Sequence, residues 1–156
     1  MTATPEIQDI VDNFELLGDW DQRYQYLVEL GERMEPMAAV DKIEKNRVKE
    51  CMSTVYTAAR WDPGHAGMLR YTGDCDTSII KGVVALLVEL YSGKTPWEVE
   101  ELDVDALFAG LHLEEHLSPN RHVGVYAIVD KMTGQARALS RGGEGDQKHA
   151  GARLTR

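Results

Sequence analysis

Apolar residues recur at helical spacing in the first part of the chain. They lie three or four positions apart from Ile7 onward, which predicts a helix from about Pro5 to Leu17. Asp19 is a suitable N-cap for a second helix, since a carboxylate there accepts hydrogen bonds from the first free backbone N–H groups. That helix has an aromatic and apolar face and is expected to end near Gly31.

The pattern changes in the middle of the chain. Residues 37–50 are charged and aperiodic, which predicts a long loop, and loops of this length are often functional. Residues 51–59 and 68–72 favour strands, and the Asp-Pro-Gly turn at 62–64 joins them into an antiparallel hairpin. We expect a third strand near His65 or just before the first strand.

The helical period returns after the hairpin. Residues 77–91 are apolar nearly all round, which is typical of a buried central helix. Thr95 and Glu98 form a capping-box pattern with Pro96 at the first helical position, so a short helix follows. Another short helix is expected from about Val104 to Gly110.

The last helix is predicted to begin at Ser118-Pro119 and to keep an apolar face as far as Leu139. Beyond it the chain is rich in glycine and charge. The predicted fold is therefore a single α+β domain over residues 5–139, with a small antiparallel sheet of about three strands packed against several helices. Residues 140–156 are expected to be a disordered charged tail.

Length and charge restrict the function. The chain has 156 residues and a formal net charge of -9, which argues against nucleic acid and anionic membranes as partners. No apolar run approaches the roughly 20 residues that span a bilayer. The first residues lack the basic and apolar regions of a secretory signal, so we expect a cytoplasmic location.

The two cysteines, Cys51 and Cys75, are not in a metal-binding or disulfide spacing and are expected to be free thiols. Cys51 lies where the long loop meets the first strand. Arg47 and Lys49 would favour its thiolate, the nucleophilic form, whereas Glu50 opposes them. From these residues alone, a reactive Cys51 and an inert packed one are both open.

Cys75 is flanked by Asp74 and Asp76, and adjacent carboxylates disfavour a thiolate. We therefore interpret Cys75 as structural, with Asp74 or Asp76 as the N-cap of the apolar helix. His112 and His116 are four residues apart but lack the order of a zinc-protease helix, so we expect solvated side chains and no metal site.

Four ordered blocks of this sequence resemble the SufE family of sulfur acceptors. The segment from Asn46 to Tyr56 is similar to the family's N-R-V-x-G-C-x-S-x-V-W around the acceptor cysteine. The other three blocks are Phe14–Leu27 (F-x-x-L-x-D-W-x-x-R-Y-x-Y-L), Asp76–Val83 with Tyr91–Pro96, and His116–Arg121 (H-L-S-P-x-R). The resemblance covers about residues 7–132. Glu50, Tyr56, Lys81 and Cys75 depart from the family pattern, which has glycine, tryptophan, arginine and often serine there.

The resemblance implies a mechanism. A SufS-like cysteine desulfurase, which carries the pyridoxal phosphate, passes persulfide sulfur to Cys51, and the carrier needs no cofactor itself. The carrier activates the desulfurase and delivers sulfur to an iron–sulfur scaffold complex, so it acts as a sulfur-transfer accessory protein rather than a stand-alone enzyme. The residues implied to support Cys51 are Arg47, Ser53, Asp76 and Arg121. Arg121 would favour the anionic thiolate or persulfide, and Asp76 would hold the Cys51 loop through helix-cap hydrogen bonds.

Three alternatives stay open from the sequence. The chain is a paralogous carrier for another desulfurase pathway, a thiol redox sensor that uses Cys51 and Cys75, or a binding module with an inert Cys51. The redox sensor requires the two Cα atoms to approach within about 7 Å. The sequence also leaves open whether the protein forms a homodimer.

Overall fold

The computed structural model describes residues 7–113 and 117–149, without the side chains of residues 120 and 143–149. Within these ranges the chain forms an α+β fold in which helices surround a two-stranded antiparallel sheet. The strands are β1 (Val55–Trp61) and β2 (Leu69–Cys75). The helices, in chain order, are α1 (Ile7–Leu16), α2 (Trp20–Arg33), α3 (Ser78–Tyr91), α4 (Pro96–Glu101), α5 (Val104–Gly110) and α6 (Pro119–His149).

Two helix starts follow local capping chemistry. Asp19 Oδ1 accepts a hydrogen bond from the backbone N–H of Gln22 at 2.9 Å and caps α2. At α4, the Thr95 hydroxyl accepts from the backbone N–H of Glu98 at 3.1 Å, and the Glu98 carboxylate accepts from the backbone N–H of Thr95 at 2.9 Å. Both caps satisfy N–H groups that have no partner within the helix, as the sequence predicted.

Helix α3 is the centre of the core, and most of its residues are buried. It packs closely on α2, because Gly82 of α3 lies against the backbone carbonyl of Leu27. On the other side of this contact, a β-carbon placed on Gly31 of α2 would lie 3.0 Å from the backbone nitrogen of Gly82. The two glycines let the helix backbones touch, and dense packing of this kind leaves no room for a side chain at either position.

The predicted third strand is absent from the described residues, and the sheet has two strands. The outer edge of β2 is covered by a short irregular segment: Leu69 donates its N–H to the carbonyl of Lys94, and Gly93 donates to the carbonyl of Leu69, both at 2.8 Å. Before Cys51 there is one isolated bridge between Arg47 and Tyr56. Each contact satisfies strand-edge groups but is too short to form a strand.

Helix α6 is attached to the sheet by side chains. The buried Tyr71 hydroxyl of β2 donates to the carbonyl of Met132 at 2.6 Å. Gln135 donates to the carbonyl of Thr57 at 2.7 Å and accepts from the Thr57 hydroxyl at 3.0 Å. These contacts fix where the N-terminal half of α6 lies relative to the loop that contains Cys51.

The last helix is longer than predicted, because α6 continues to His149 rather than ending near Leu139. The apolar period stops near Leu139, but adding turns to a helix that has already formed costs far less free energy than starting a new one. The division into a domain over residues 5–139 and a disordered tail over 140–156 stays a prediction, and residues 150–156 lie outside the described part. Within the described ranges, no helix has the length and apolar character needed to cross a bilayer.

Candidate functional site

Cys51 lies at the tip of a narrow loop. The Arg47–Tyr56 bridge and a hydrogen bond of 2.9 Å from the N–H of Val48 to the carbonyl of Val55 bring the two ends of the loop together. Residues 49–54 therefore project beyond the start of β1. The Cys51 side chain is neither fully buried nor fully exposed, so the thiol is partly open to solvent.

The base of this loop is attached to the start of α3. The N–H of Thr54 donates to Asp76 Oδ1 at 3.0 Å, and the N–H of Asp76 donates to the carbonyl of Thr54 at 3.2 Å. The hydroxyls of Ser53 and Thr77 are 2.6 Å apart. The expectation that Asp74 or Asp76 caps α3 is wrong, because Thr77 occupies the N-cap position and makes no side-chain cap bond. Asp76 instead holds the loop directly.

The predicted long loop before Cys51 has regular turns. It contains two 3₁₀ helices, Ala39–Asp41 and Glu44–Asn46. The buried Asn46 side chain donates to the carbonyl of Asp41 at 2.9 Å and joins the two turns. Hydrophobic periodicity does not predict segments of this kind, because a three-residue turn presents no repeating apolar face.

Asp74 links this segment to the sheet. Its carboxylate lies 2.8 Å from Lys42 Nζ and 3.5 Å from Lys81 Nζ. Burial alone would raise the pKa of Asp74, but the hydrogen bonds from Lys42 and from the backbone N–H of Cys75 outweigh it and hold the pKa below its usual value. Asp74 is therefore an ionised anchor for the segment that leads to the thiol.

The Cys51 thiol lies against the backbone of α6. A β-carbon placed on Gly124 would be 2.9 Å from Cys51 Sγ, which is closer than real side chains approach. Sequence reasoning missed this residue, although an isolated glycine within a helical pattern is a signal for close packing. The absence of a side chain at Gly124 thus makes the space in which the thiol lies.

A cavity of about 210 Å³ opens beside the thiol. Its lining contains Cys51, Ser53, Ile80, Ser118 and Arg121. The exposed Arg121 makes no ion pair with a described residue, so its charge is available to an anion in the cavity. The structure thus brings two of the predicted supporting residues, Ser53 and Arg121, to the cavity that contains Cys51.

The other basic residues expected near the thiol have different surroundings. Lys49 lies 3.5 Å from the Glu44 carboxylate, and both side chains are largely exposed. Arg47 lines a neighbouring groove and is absent from the lining of the cavity beside Cys51. Proximity in sequence therefore did not indicate which cation faces the cavity, because Arg121 comes from a distant helix.

Cys75 is buried in the core face of β2, opposite Val55. Burial raises the pKa of its thiol to about 11, with smaller contributions from Cys51 and the carboxylates of Asp76 and Asp74. A thiol with that pKa is almost entirely protonated near neutral pH and is a poor nucleophile. The flanking aspartates act in the expected direction, but burial is the larger cause.

The histidines of the predicted pair do not share a described helix face. His112 has a φ of 56° beyond the end of α5, and His116 lies outside the described residues. In the described ranges, no three His, Cys, Asp or Glu side chains gather in a geometry that would hold a metal ion.

Residues 8–136 match the family model for SufE, described as the Fe-S metabolism associated domain. The chain belongs to the SufE family. Its domain is similar in fold to a solved structure, the solution structure of a hypothetical protein from Thermus thermophilus. The two are 24% identical, with a TM-score of 0.70 over 89% of this chain and 98% of the other. SufE membership places the protein in Fe–S metabolism and implies a cysteine desulfurase as partner.

Proposed function

We propose that this SufE domain accepts sulfane sulfur from a SufS-like cysteine desulfurase as a persulfide on Cys51, activates the desulfurase by doing so, and passes the sulfur to an iron–sulfur scaffold complex. The observation that carries the proposal is the position of Cys51, which lies at the tip of an anchored loop beside a cavity whose arginine pairs with no described carboxylate. A carrier needs a thiol that a partner can reach, and the partial exposure of Cys51 at the tip of the loop supports that role.

The transfer step is a thiol exchange. The Cys51 thiolate attacks the outer sulfur of the persulfide on the desulfurase cysteine, and a new S–S bond forms on Cys51. The S–S bond of the donor breaks, and its electron pair stays on the desulfurase cysteine, which leaves as a thiolate. The outer sulfur keeps its proton or loses it to water. Sulfur and electrons balance without a further oxidant, reductant or cofactor on the carrier.

Arg121 would stabilise the anionic form of Cys51 both before and after the sulfur is transferred. Arg121 lines the cavity beside Cys51, and its guanidinium remains charged at any physiological pH. A positive charge there favours the thiolate before transfer and the anionic persulfide after it. The size of the cavity, about 210 Å³, leaves room for one additional sulfur atom.

Met52 supports contact with a protein partner. Its side chain is 86% exposed, directly beside Cys51. Methionine is enriched at protein interfaces, and its flexible side chain adapts to the surface that it meets. An exposed apolar side chain next to the thiol is therefore well placed to touch the desulfurase during transfer.

The test is intact-mass analysis after incubation with a cysteine desulfurase, cysteine and pyridoxal phosphate. The wild type and the Cys75→Ser variant should gain one sulfur, on the order of 32 Da, and lose it with dithiothreitol. The Cys51→Ser variant should gain nothing. Absence of the gain in the wild type with several desulfurases would overturn the proposal and favour a redox sensor or a binding module. A gain with only one desulfurase would identify which pathway the carrier serves.

A further inference from the structure

A second depression borders the loop that contains Cys51. Two adjoining cavities of about 770 and 420 Å³ share Asp130 and Lys131 in their linings and are together called the α6 groove here. One wall is the segment over residues 45–50, and the other is the face of α6 from His122 to Leu139. This face spans about 26 Å at the rise of an α-helix. The groove reaches Glu50, the residue before Cys51.

The α6 groove is basic in an otherwise acidic protein. The chain has a formal net charge of -9. The charged residues in the walls are four cations and two anions: Lys45, Arg47, Lys49 and Lys131, with Glu50 and Asp130. Among the described residues, Lys49 is the one cation of the four with an ion-pair partner, the exposed Glu44. The cations in the walls outnumber the carboxylates by two, so the groove attracts an anionic segment, whereas the net charge of the chain as a whole repels one.

The floor and rim of the groove suit a polypeptide. A β-carbon placed on Gly134 would have no neighbour within 4 Å, so the groove is open above this position. Val123 is 61% exposed at the other end and provides an apolar contact. A groove with an open floor, a charged rim and an apolar contact has room for an extended or helical peptide and groups that could contact it.

We propose that the α6 groove binds an acidic segment of the cysteine desulfurase. This inference rests on the proposed function, since the desulfurase is the partner that must approach Cys51. The groove lining includes Glu50 and Val123, the chain neighbours of Cys51 and of Gly124, which the thiol contacts, so a segment bound in the groove lies close to the tip of the loop. Complementary charge would orient the desulfurase during association, and the bound segment would keep its persulfide near the loop through the transfer.

The test fills the groove without touching the thiol. Gly134→Leu places a side chain in the open space, and Gly142→Leu is the matched control on the same helix, exposed, equally free of neighbours and outside the groove lining. Desulfurase turnover is measured as a function of carrier concentration. Gly134→Leu should raise the KM for the carrier about tenfold while kcat stays close to the wild-type value. Gly142→Leu should have the same KM and kcat as the wild type. Circular dichroism checks that both variants fold.

A charge reversal tests the electrostatic part. Lys131→Glu should raise the KM at low salt, and the difference should shrink as salt screens the interaction. Arg60→Glu is its control, because Arg60 is exposed on β1 and is absent from the groove lining. If the wild type is persulfurated but Gly134→Leu and Lys131→Glu keep its KM, the groove proposal is overturned while the carrier function stands. If the wild type is not persulfurated, the carrier function itself fails. Loss of a homodimer in Gly134→Leu by sedimentation equilibrium, with an unchanged KM, would assign the groove to a second copy and also overturn the proposal.

Discussion

The thiol of Cys51 lies against the backbone of Gly124, where a β-carbon would be 2.9 Å from Sγ. This contact joins the tip of the loop to a helix that is itself attached to the sheet through Tyr71 and Met132. The position of the nucleophile therefore depends on the presence of a residue without a side chain, and any methyl group there must displace either the thiol or the helix.

Gly124→Ala should push the thiol outward and increase the rate of Cys51 alkylation several-fold. Alanine normally stabilises a helix interior by about 0.5–1 kcal/mol relative to glycine, but the collision with Cys51 should cancel that gain. The rate of iodoacetamide labelling by intact mass and the urea unfolding midpoint measure the two effects. Gly134→Ala is the control, because its β-carbon meets nothing within 4 Å. Equal alkylation rates in the wild type and Gly124→Ala would show that the loop does not depend on this contact.

Arg121→Ala should slow sulfur transfer to Cys51 about fivefold, since one charge interaction at a solvent-accessible site is worth about 1 kcal/mol. Arg121→Lys should recover part of the rate because it retains the charge. The measurement is the initial rate of persulfide formation at saturating desulfurase. Arg141→Ala removes an exposed arginine from the same helix, away from the cavity, and should leave the rate unchanged. An unchanged rate in Arg121→Ala would remove Arg121 from the mechanism.

Asp76→Ala should loosen the loop, because the N–H of Thr54 loses its carboxylate acceptor. The loss in stability should be about 1 kcal/mol, as expected for a hydrogen bond near the surface. Amide hydrogen exchange should accelerate over residues 49–54 more than elsewhere. Asp76→Asn retains a carbonyl oxygen as acceptor, so its stability and its exchange rate over residues 49–54 should lie between those of Asp76→Ala and the wild type. Faster exchange spread evenly over the molecule would indicate global destabilisation rather than release of the loop.

Cys75 should stay protonated until high pH in the folded protein. Burial raises its pKa from 9.0 to about 11, so its thiolate fraction at pH 8 falls by about a hundredfold on folding. In the Cys51→Ser variant, alkylation of the remaining thiol should therefore be about a hundredfold slower in buffer than in guanidinium chloride at the same pH. Because the folded pKa is raised, the stability that comes from the neutral thiol is present below pH 9 and is lost as pH rises toward 11. Rapid labelling of folded Cys75 at pH 8 would contradict the buried environment.

Local rules accounted for much of the fold. The caps at Asp19 and Thr95 and the buried character of α3 each depend on a few neighbouring residues, and they were predictable for that reason. The segment that bonds to the edge of β2 was not predictable, because the contact between Lys94 and Leu69 depends on the tertiary structure. The α6 boundary was placed too early because the sequence after Leu139 shows no apolar pattern.

The candidate site also has a part that the sequence predicted and a part that it did not. The resemblance to SufE singled out Cys51, Ser53 and Arg121, which line one cavity. It did not indicate Gly124 as the contact of the thiol or the way in which Asp76 holds the loop. Both depend on distances between segments far apart in the chain, and residue order alone carries no such distances.

Tyr71→Phe should lower the free energy of unfolding by about 0.5–1.5 kcal/mol, because a buried hydrogen bond is lost while the Met132 carbonyl keeps its acceptor role within α6. Burial also raises the pKa of Tyr71, which is consistent with a hydroxyl held neutral and away from water. Urea unfolding measures the change. An unchanged m-value, the slope of the unfolding free energy against urea concentration, would show that the two proteins expose the same surface on unfolding. Tyr26→Phe removes an exposed hydroxyl that accepts from Asn13 at 2.9 Å and should cost less than about 1 kcal/mol. If Tyr71→Phe costs no more than Tyr26→Phe, then α6 is held on the sheet by apolar packing and by Gln135, and the hydroxyl bond adds nothing to the position of Gly124 under the thiol.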